Sequence, residues 1–275
     1  MHSDLISADE VLTKLDRDDW AIVDTRFYLP EPERGKAEYL DAHIPGAVYA
    51  HLDHDLSGPR TGNNGRHPMP SVEHMIDRFS QWGIDESVQV VVYDNAGGQF
   101  ASRLWWMLRY LGHDAVAVLD GSLSSYDGEL RDGPEKRAPR KFTPKTRQAM
   151  RIDVEALAPH RDDYLLIDAR AGERFRGEIE PLDPVAGHIP GAHDLPSGAN
   201  LDDQGRFLSA EALRQRFETV IGERDTSEVV CYCGSGVTAC HNLLAMEVAA
   251  IRGARLYPGS WSEWCADDTR PVETG

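Results

Sequence analysis

The segment EVVCYCGSGVTACHNLLAMEVAAIRG, residues 228–253, decides the fold of the second half of the chain. Its first six residues, 228–233, are mostly apolar and predict a buried strand. Residues 237–253 carry apolar side chains at helical spacing and end in glycine, which predicts a helix. A strand that passes through a short glycine-rich loop into a helix is typical of α/β domains. The sequence therefore predicts an α/β fold with a mostly parallel sheet flanked by helices.

The first half of the chain repeats the motifs of the second half in the same order. The shared motifs are D-x-R at 24–26 and 168–170, HIPGA at 43–47 and 188–192, a strand ending at Asp94 or Cys233, and Gly-Ser at 121–122 and 259–260. The shift from one copy to the other stays between 138 and 145 residues. This indicates a tandem duplication, with a domain at 1–130, a linker at 131–151 and a second domain at 152–275. The linker contains eight basic residues and three prolines.

The charge of the chain limits its partners. Its 275 residues include 29 Lys and Arg against 46 Asp and Glu, for a net charge of −17. Such a charge argues against nucleic acid or an anionic membrane as the main partner. A small anionic substrate would then need a locally positive pocket. No run approaches the ~18 apolar residues of a membrane span, and no signal peptide begins the sequence, so we expect a cytoplasmic protein.

Cys233 is the candidate nucleophile. It stands where a predicted strand passes into a helix, so backbone N–H groups and the helix dipole favour its thiolate. Gly234 and Gly236 allow the backbone to curl into an anion-binding nest of N–H groups. A cysteine phosphatase would need arginine six residues after the cysteine, and that position is Ala239. The remaining chemistry is thiolate attack on a small sulfur donor, which leaves a persulfide on the cysteine.

The doubled HIPGA, the loop CGSGVTA at 233–239 and the closing GSWSEW at 259–264 resemble the tandem-domain rhodaneses, a family of sulfurtransferases. The similarity covers nearly the whole chain and implies two rhodanese-like domains. Within that family, CGSGVTA resembles the loop of the 3-mercaptopyruvate sulfurtransferases. Asp94 stands at the equivalent position in the first copy, which implies a catalytically silent N-terminal domain.

The residue types in the loop 233–239 also have a physical interpretation. Sulfite, which leaves when thiosulfate donates sulfur, needs positive charge, whereas a pyruvate enolate leaving from mercaptopyruvate needs a proton. The loop has no Lys or Arg but has Ser235, a hydroxyl that can relay a proton. The resemblance implies a relay of Ser235, His67 and Asp53. Because His67 and Asp53 precede residue 130, we expect a site between the two domains.

The resemblance also implies how the substrate is held. Arg174 matches the arginine that binds the substrate carboxylate. The loop residues expected to bind substrate beside it are Gly234, Gly236, Val237 and Thr238. The family usually has a second carboxylate-binding arginine about nine residues further on, where this chain has Asp183. Arg176 is a possible replacement.

The sequence thus predicts an enzyme that moves sulfur from 3-mercaptopyruvate through a Cys233 persulfide to cyanide, a thiol or a thioredoxin-like protein. It predicts no metal or organic cofactor. Two alternatives stay open: a thiosulfate:cyanide sulfurtransferase, and a non-catalytic persulfide carrier in sulfur trafficking. Cys231 is expected to belong to the core of its strand, because a zinc site would need a second cysteine pair that the chain lacks.

Overall fold

The computed structural model describes residues 1–15 and 17–275 and contains two units, each built around its own sheet. Unit 1 consists of Met1–Gly58, Pro70–Arg147 and Asp203–Arg206, and unit 2 of Pro59–Met69, Gln148–Asp202 and Phe207–Gly275. No helix in the described part of the chain has both the length and the apolar character needed to cross a membrane.

The sheet of unit 1 has five strands in the order β1-β5-β4-β2-β3, all paired in parallel. Its elements are β1 (Leu5–Ile6), α1 (Ala8–Leu12), β2 (Trp20–Asp24), α2 (Arg34–Asp41), β3 (Ala47–Tyr49), α3 (Val72–Gln81), β4 (Gln89–Tyr93), α4 (Ala101–Tyr110) and β5 (Val116–Leu119), followed by a 3₁₀ turn at Leu123–Ser125. Strands β4 and β5 are buried along their whole length, as is usual where helices cover both faces of a parallel sheet. Helix α3 is capped by Ser71, whose hydroxyl accepts the His74 N–H, and it buries Met75 and Phe79.

The sheet of unit 2 has four parallel strands in the order β7-β6-β8-β9. Its elements are α5 (Val154–Leu157), β6 (Leu165–Asp168), α6 (Gly172–Phe175), β7 (His193–Asp194), α7 (Ala210–Ile221), β8 (Val229–Tyr232), α8 (Ala239–Val248), β9 (Arg255–Leu256) and α9 (Ser260–Trp264), with 3₁₀ turns at Gln148–Met150, Ala158–Asp163, Ser197–Asn200 and Thr226–Glu228. Helix α8 packs against β8 and α7 and is buried over most of its surface. The predicted fold class, two α/β domains with mostly parallel sheets flanked by helices, is confirmed.

The motifs that occur twice anchor loops to each sheet. Arg26 donates to the carboxylate of Asp24 at 2.7 Å and to the carbonyl of Ala42 at 2.6 Å. Arg170 repeats this arrangement in unit 2, with Asp168 at 2.6 Å and the Gly187 carbonyl at 2.7 Å. These buried ion pairs carry extra hydrogen bonds, which is the condition under which a charge is tolerated inside a protein.

Two segments belong to units that their positions in the sequence do not predict. Within 131–147, the N–H groups of Arg131, Lys145 and Arg147 donate to carbonyls of unit 1 at 2.7–2.9 Å. Residues 59–69, which precede residue 130, belong to unit 2. The backbone N–H of Arg66 donates to the Ser262 hydroxyl at 3.0 Å, so this segment packs beside α9.

Candidate active site

The loop after β8 is held by the first turn of α9. The side chain of Cys233 is 2 % exposed, and its N–H donates to the Ser260 hydroxyl at 3.1 Å. The Cys233 carbonyl accepts the Trp261 N–H at 2.9 Å, and the Gly234 carbonyl accepts the Ser262 N–H at 2.9 Å. These three contacts tie the predicted nucleophile to a short helix whose tryptophans are fully buried in the core of unit 2. The thiol therefore sits on a rigid support.

Ser260 is a positioning residue that the sequence analysis missed. Its φ of 55° lies in the left-handed region, which costs a non-glycine residue roughly 1–2 kcal/mol. Its hydroxyl also donates to the Tyr257 carbonyl at 3.0 Å, which helps to hold this conformation. In unit 1, Ser122 has a φ of 63°, and its hydroxyl accepts the Gly97 N–H at 2.7 Å. The doubled Gly-Ser motif was the signal that could have identified both serines.

Ser235 and His67 lie together in unit 2. The Ser235 hydroxyl and His67 Nδ1 are 2.7 Å apart, and the two side chains are buried. A serine bonded to an imidazole has the arrangement of a proton relay, whose direction depends on the tautomer of the ring. Asp53, the third predicted member, belongs to unit 1, where its N–H donates to His51 Nδ1 at 3.1 Å. Its part in the relay stays a prediction.

Two arginines flank Gly234. A Cβ added at Gly234 would lie 2.8 Å from Arg66 Nη2 and 3.3 Å from Arg174 Nη1, so a side chain here would displace the Arg66 guanidinium. Arg174 comes from α6, and its contact with substrate stays a prediction. Arg66 was missed, although it directly precedes His67 in the sequence. Arg176 turns to the exposed Glu178, which accepts its Nε–H at 2.7 Å.

The charges around Arg174 are closely paired. Its Nη2 donates to Glu180 Oε1 at 2.7 Å and lies 3.3 Å from Asp183 Oδ2. Arg66 forms a short ion pair with the other oxygen of Asp183. Burial raises the pKa of Glu180, but hydrogen bonds from Arg174 and from the N–H groups of Leu182 and Asp183 outweigh burial, and the pKa is lowered overall. Glu180 therefore stays ionised at neutral pH.

The glycine-rich turn is shaped by a close backbone approach. Gly236 has a φ of 75°, and a Cβ there would lie 2.1 Å from the Pro258 carbonyl oxygen. Val237 is buried, and Thr238 directly precedes α8. These residues place successive peptide groups beside Cys233 at the start of a helix. Their contact with substrate stays a prediction.

The corresponding loop of unit 1 holds an anion of its own. The buried carboxylate of Asp94 accepts the N–H groups of Ala96, Gly98, Phe100 and Ala101 at 2.8–3.0 Å. In unit 1 a carboxylate therefore fills a nest of N–H groups. The sequence analysis expected a nest of the same kind beside Cys233 in unit 2. This loop is longer by one residue, because α4 begins seven residues after Asp94 and α8 begins six after Cys233.

Two of the other cysteines, Cys231 and Cys265, are buried thiols of unit 2. Cys231 is fully buried in β8, and burial raises the pKa of its thiol well above the ordinary value. Burial also raises the pKa of Cys265, to about 11. Neither thiol is ionised at neutral pH, so both are poor nucleophiles.

One group of side chains in unit 1 has the composition of a metal site. Ligand atoms of Glu33, His51 and His54 lie within 4.8 Å of one another. However, His51 Nδ1 accepts the Asp53 N–H, so the neutral ring carries its proton on Nε2, the atom that faces Glu33 at 3.3 Å. Burial and the nearby His54 lower the pKa of His51, which keeps the ring neutral. The tautomer therefore favours contact with Glu33 over metal ligation.

Comparison with known proteins places this geometry in context. The family described as the rhodanese-like domain matches residues 7–129 and 153–267. A Pseudomonas aeruginosa protein named a probable 3-mercaptopyruvate sulfurtransferase is 44% identical, with 98% of each chain covered. SseB of Mycobacterium tuberculosis, provisionally named a thiosulfate sulfurtransferase, is 40% identical over 93% of this chain and 91% of its own. The structure of 3-mercaptopyruvate sulfurtransferase from Leishmania major aligns with a TM-score of 0.84 at 32% identity, covering 95% of this chain and 74% of that chain.

Proposed function

This chain belongs to the rhodanese family, whose members similar to it are enzymes of sulfur transfer, and we propose that it is a 3-mercaptopyruvate sulfurtransferase. The single observation that carries the choice of donor is the 2.7 Å contact between the Ser235 hydroxyl and His67 Nδ1. Ser235 lies two residues after Cys233 in the same loop. A proton relay is useful to an enolate leaving group and of little use to sulfite. The names of the Pseudomonas and Leishmania relatives support the same donor.

The first half-reaction forms the persulfide. The Cys233 thiolate attacks the sulfur atom of 3-mercaptopyruvate, so an S–S bond forms and the C–S bond breaks. The bonding electron pair leaves as the enolate of pyruvate. The Ser235 hydroxyl gives the enolate a proton, which the His67 ring replaces, and pyruvate departs.

The second half-reaction returns the thiolate. An acceptor, cyanide in an assay or a thiol or thioredoxin-like protein in the cell, attacks the outer sulfur of the persulfide. The S–S bond breaks, and its electrons return to Cys233. Backbone N–H groups of residues 234–238 stabilise the negative charge on sulfur in both steps, as four N–H groups stabilise the Asp94 carboxylate in unit 1.

A thiosulfate sulfurtransferase is the second candidate. It is favoured by Asp183, which stands where a second carboxylate-binding arginine would be expected, and by the similarity to SseB. A persulfide carrier with slow turnover is a third, which the Ser235–His67 pair disfavours because a carrier needs no proton relay.

Steady-state kinetics with cyanide as acceptor test the proposal. We expect kcat/KM for 3-mercaptopyruvate to exceed that for thiosulfate by more than ~100-fold, a difference of about 2.7 kcal/mol in transition-state binding. A preference for thiosulfate would overturn the donor assignment. Activity on neither donor, with Cys233 titratable by a thiol reagent, would favour the carrier.

A further inference from the structure

We propose that the outer face of the loop 179–185 in unit 2 is a docking surface for the sulfur acceptor, and that this acceptor is a protein whose reactive cysteine lies within an uncharged, apolar surface. The inference rests on the proposed function, because it concerns the second half-reaction. It adds the place at which the acceptor binds, and it separates a protein acceptor from a small thiol.

The loop 179–185 presents its side chains in the reverse of the usual order. Ile179, Leu182 and Val185 are 55%, 43% and 37% exposed to solvent. The two carboxylates between them, those of Glu180 and Asp183, face inward, and each of these side chains is only 3% exposed. Single exposed apolar residues are common on protein surfaces. Three of them alternating with buried carboxylates indicate a surface made for contact with a partner.

The backbone of the loop is already ordered. Glu180 Oε1 accepts the N–H groups of Leu182 and Asp183 at 3.1 and 3.2 Å. Further along, the Val185 carbonyl accepts the indole N–H of Trp261 at 2.9 Å. Two prolines within the loop restrict its backbone further. A surface that is fixed before binding loses little conformational entropy when a partner docks on it.

The loop borders a cavity that reaches the residues around the predicted nucleophile. Leu182 lines this cavity of about 430 Å³ together with Arg66 and Ser262. The Ser262 N–H donates to the carbonyl of Gly234 at 2.9 Å, and Gly234 directly follows Cys233. A protein that docks on the loop therefore holds its cysteine at the mouth of the cavity.

Charge complementarity specifies the surface of the partner. The ionisable side chains of the loop are Glu180 and Asp183, and both are paired with arginines, Glu180 with Arg174 and Asp183 with Arg66 and Arg174. The loop thus turns no charge outward, although the whole chain carries a net charge of −17. Its complement is an uncharged apolar surface, which an acidic chain does not repel at close range.

The small size of the surface favours a transient partner over a second copy of this chain. A stable and specific interface uses about 20–30 residues on each side. The loop supplies seven. A permanent subunit would need a larger contact, whereas an acceptor must leave after each sulfur transfer.

The transfer step itself is thiol–disulfide chemistry. The thiolate of the acceptor attacks the outer sulfur of the Cys233 persulfide, the S–S bond breaks, and its electron pair returns to the Cys233 sulfur. The acceptor then carries the persulfide. A second thiol on the acceptor attacks the inner sulfur of that persulfide and displaces hydrosulfide, which keeps the proton of this thiol. The acceptor dithiol is thereby oxidised to a disulfide, and the transferred sulfur is reduced to sulfide.

The test is a single-turnover reaction with reduced thioredoxin, a dithiol protein, compared with dithiothreitol, a small dithiol. The protein is loaded with sulfur by 3-mercaptopyruvate or thiosulfate and freed of donor, and mass spectrometry then follows loss of the extra sulfur from Cys233. We expect the double variant Ile179→Ser/Val185→Ser to lower the second-order rate constant with thioredoxin by at least about fivefold. The rate constant with dithiothreitol should stay within about twofold of wild type, because a small thiol needs no docking surface.

Leu40→Ser is the matched control. Leu40 lies in α2 of unit 1 and is 38% exposed, almost the same as Val185. The variant therefore removes an equally exposed aliphatic side chain from another surface, and it should transfer sulfur to thioredoxin at the wild-type rate.

Several results would overturn the inference. An unchanged rate of the double variant with thioredoxin would show that the acceptor does not contact the loop. An equal fall with both acceptors would assign the loop to the shape of the site. Transfer by the wild-type protein to dithiothreitol but not to thioredoxin would identify a small-thiol acceptor. A wild-type dimer in sedimentation that the double variant dissociates would assign the loop to self-association.

The loading step separates this inference from the proposed function. Loading by thiosulfate and not by 3-mercaptopyruvate would contradict the proposed donor, while the transfer step would still decide the acceptor surface. A protein whose Cys233 gains sulfur from neither donor would contradict both.

Discussion

Cys233 and Asp94 occupy corresponding loops, and the difference between a thiol and a carboxylate separates the two units chemically. The Asp94 carboxylate already uses four N–H groups of its loop, so it neither attacks nor leaves room for a substrate. Cys233 has its backbone fixed by Ser260, with a guanidinium pair beside Gly234. Catalysis is therefore expected of unit 2 alone.

Cys233→Ser should lower sulfur transfer to cyanide by more than about a thousandfold, because a hydroxyl at this position is not ionised and is a far weaker nucleophile. Cys231→Ala is the matched control. Its thiol is fully buried with a raised pKa, so transfer by this variant should stay within a few-fold of wild type. Equal loss in both variants would indicate that the two cysteines act together as a redox pair.

Ser235→Ala should lower kcat with 3-mercaptopyruvate by roughly 10²–10⁴-fold, the usual contribution of a general acid, since the enolate loses its proton source. The rate with thiosulfate should change only a few-fold, because sulfite leaves without a proton. Ser197→Ala, another buried serine of unit 2, controls for loss of a buried hydroxyl. A parallel fall with both donors would assign Ser235 to loop structure and not to proton transfer.

At the scale of elements, the strand–loop–helix unit explains how a loop rich in glycine keeps one shape. The first turn of α9 accepts the Cys233 N–H and donates N–H groups to the carbonyls of Cys233 and Gly234. Gly236 passes so close to Pro258 that a methyl group on Gly236 would collide with the Pro258 carbonyl. The observed α8 is shorter than the predicted helix at 237–253. Ala250 adopts a φ of 58°, which ends the helix before the glycine that the pattern had marked as its end.

Asp94→Ala should destabilise unit 1 without changing the kinetics of sulfur transfer. Removing the carboxylate leaves four N–H groups without their acceptor. Those of Gly98 and Ala101 are buried, and each buried group without a partner costs about 1–3 kcal/mol, so we expect a loss of at least about 2 kcal/mol. Urea unfolding measures this loss, with the exposed Asp127→Ala as control. An unchanged midpoint would show that the loop rearranges to satisfy its own amides.

At the scale of the whole molecule, a net charge of −17 sets the long-range field that an anionic donor meets. Arg66 and Arg174 at the site are paired with Asp183 and Glu180, so they do not offset that field at a distance. The local pairing of charges governs the last few ångströms, and the acidic surface governs the approach.

Raising the ionic strength should therefore increase kcat/KM for anionic donors. The Debye length falls from about 30 Å at 0.01 M to about 8 Å at 0.15 M salt, which screens repulsion between the acidic surface and the donor. We expect a rise of a few-fold for the thiosulfate dianion and a smaller one for 3-mercaptopyruvate, measured by initial rates at fixed cyanide. A decrease with salt would mean that local attraction by the guanidinium groups dominates the encounter.

The duplication, the parallel sheets and the loop that carries Cys233 were predictable, because each depends on patterns within a few residues or on motifs repeated along the chain. Strand periodicity, a glycine next to a helix start and the doubled HIPGA are local signals of this kind. The pairing of charges at the site was not predictable, because Asp183 was only visible as a departure from the expected arginine.

What the sequence by itself determined is the α/β class, the tandem repeat and the position of Cys233 between a strand and a helix. Only the tertiary structure decided that residues 59–69 belong to unit 2 and that Arg66 and Arg174 share Asp183 beside Gly234. The pairing of His67 with Ser235 was implied by the family resemblance and not by any local pattern, and the structure supplies its distance. Arg66 and Asp183 are 117 positions apart in the sequence, and His67 and Ser235 are 168 positions apart. Local pattern carries no record of such pairs, because they form only when the packing of separate loops brings the side chains within hydrogen-bond distance.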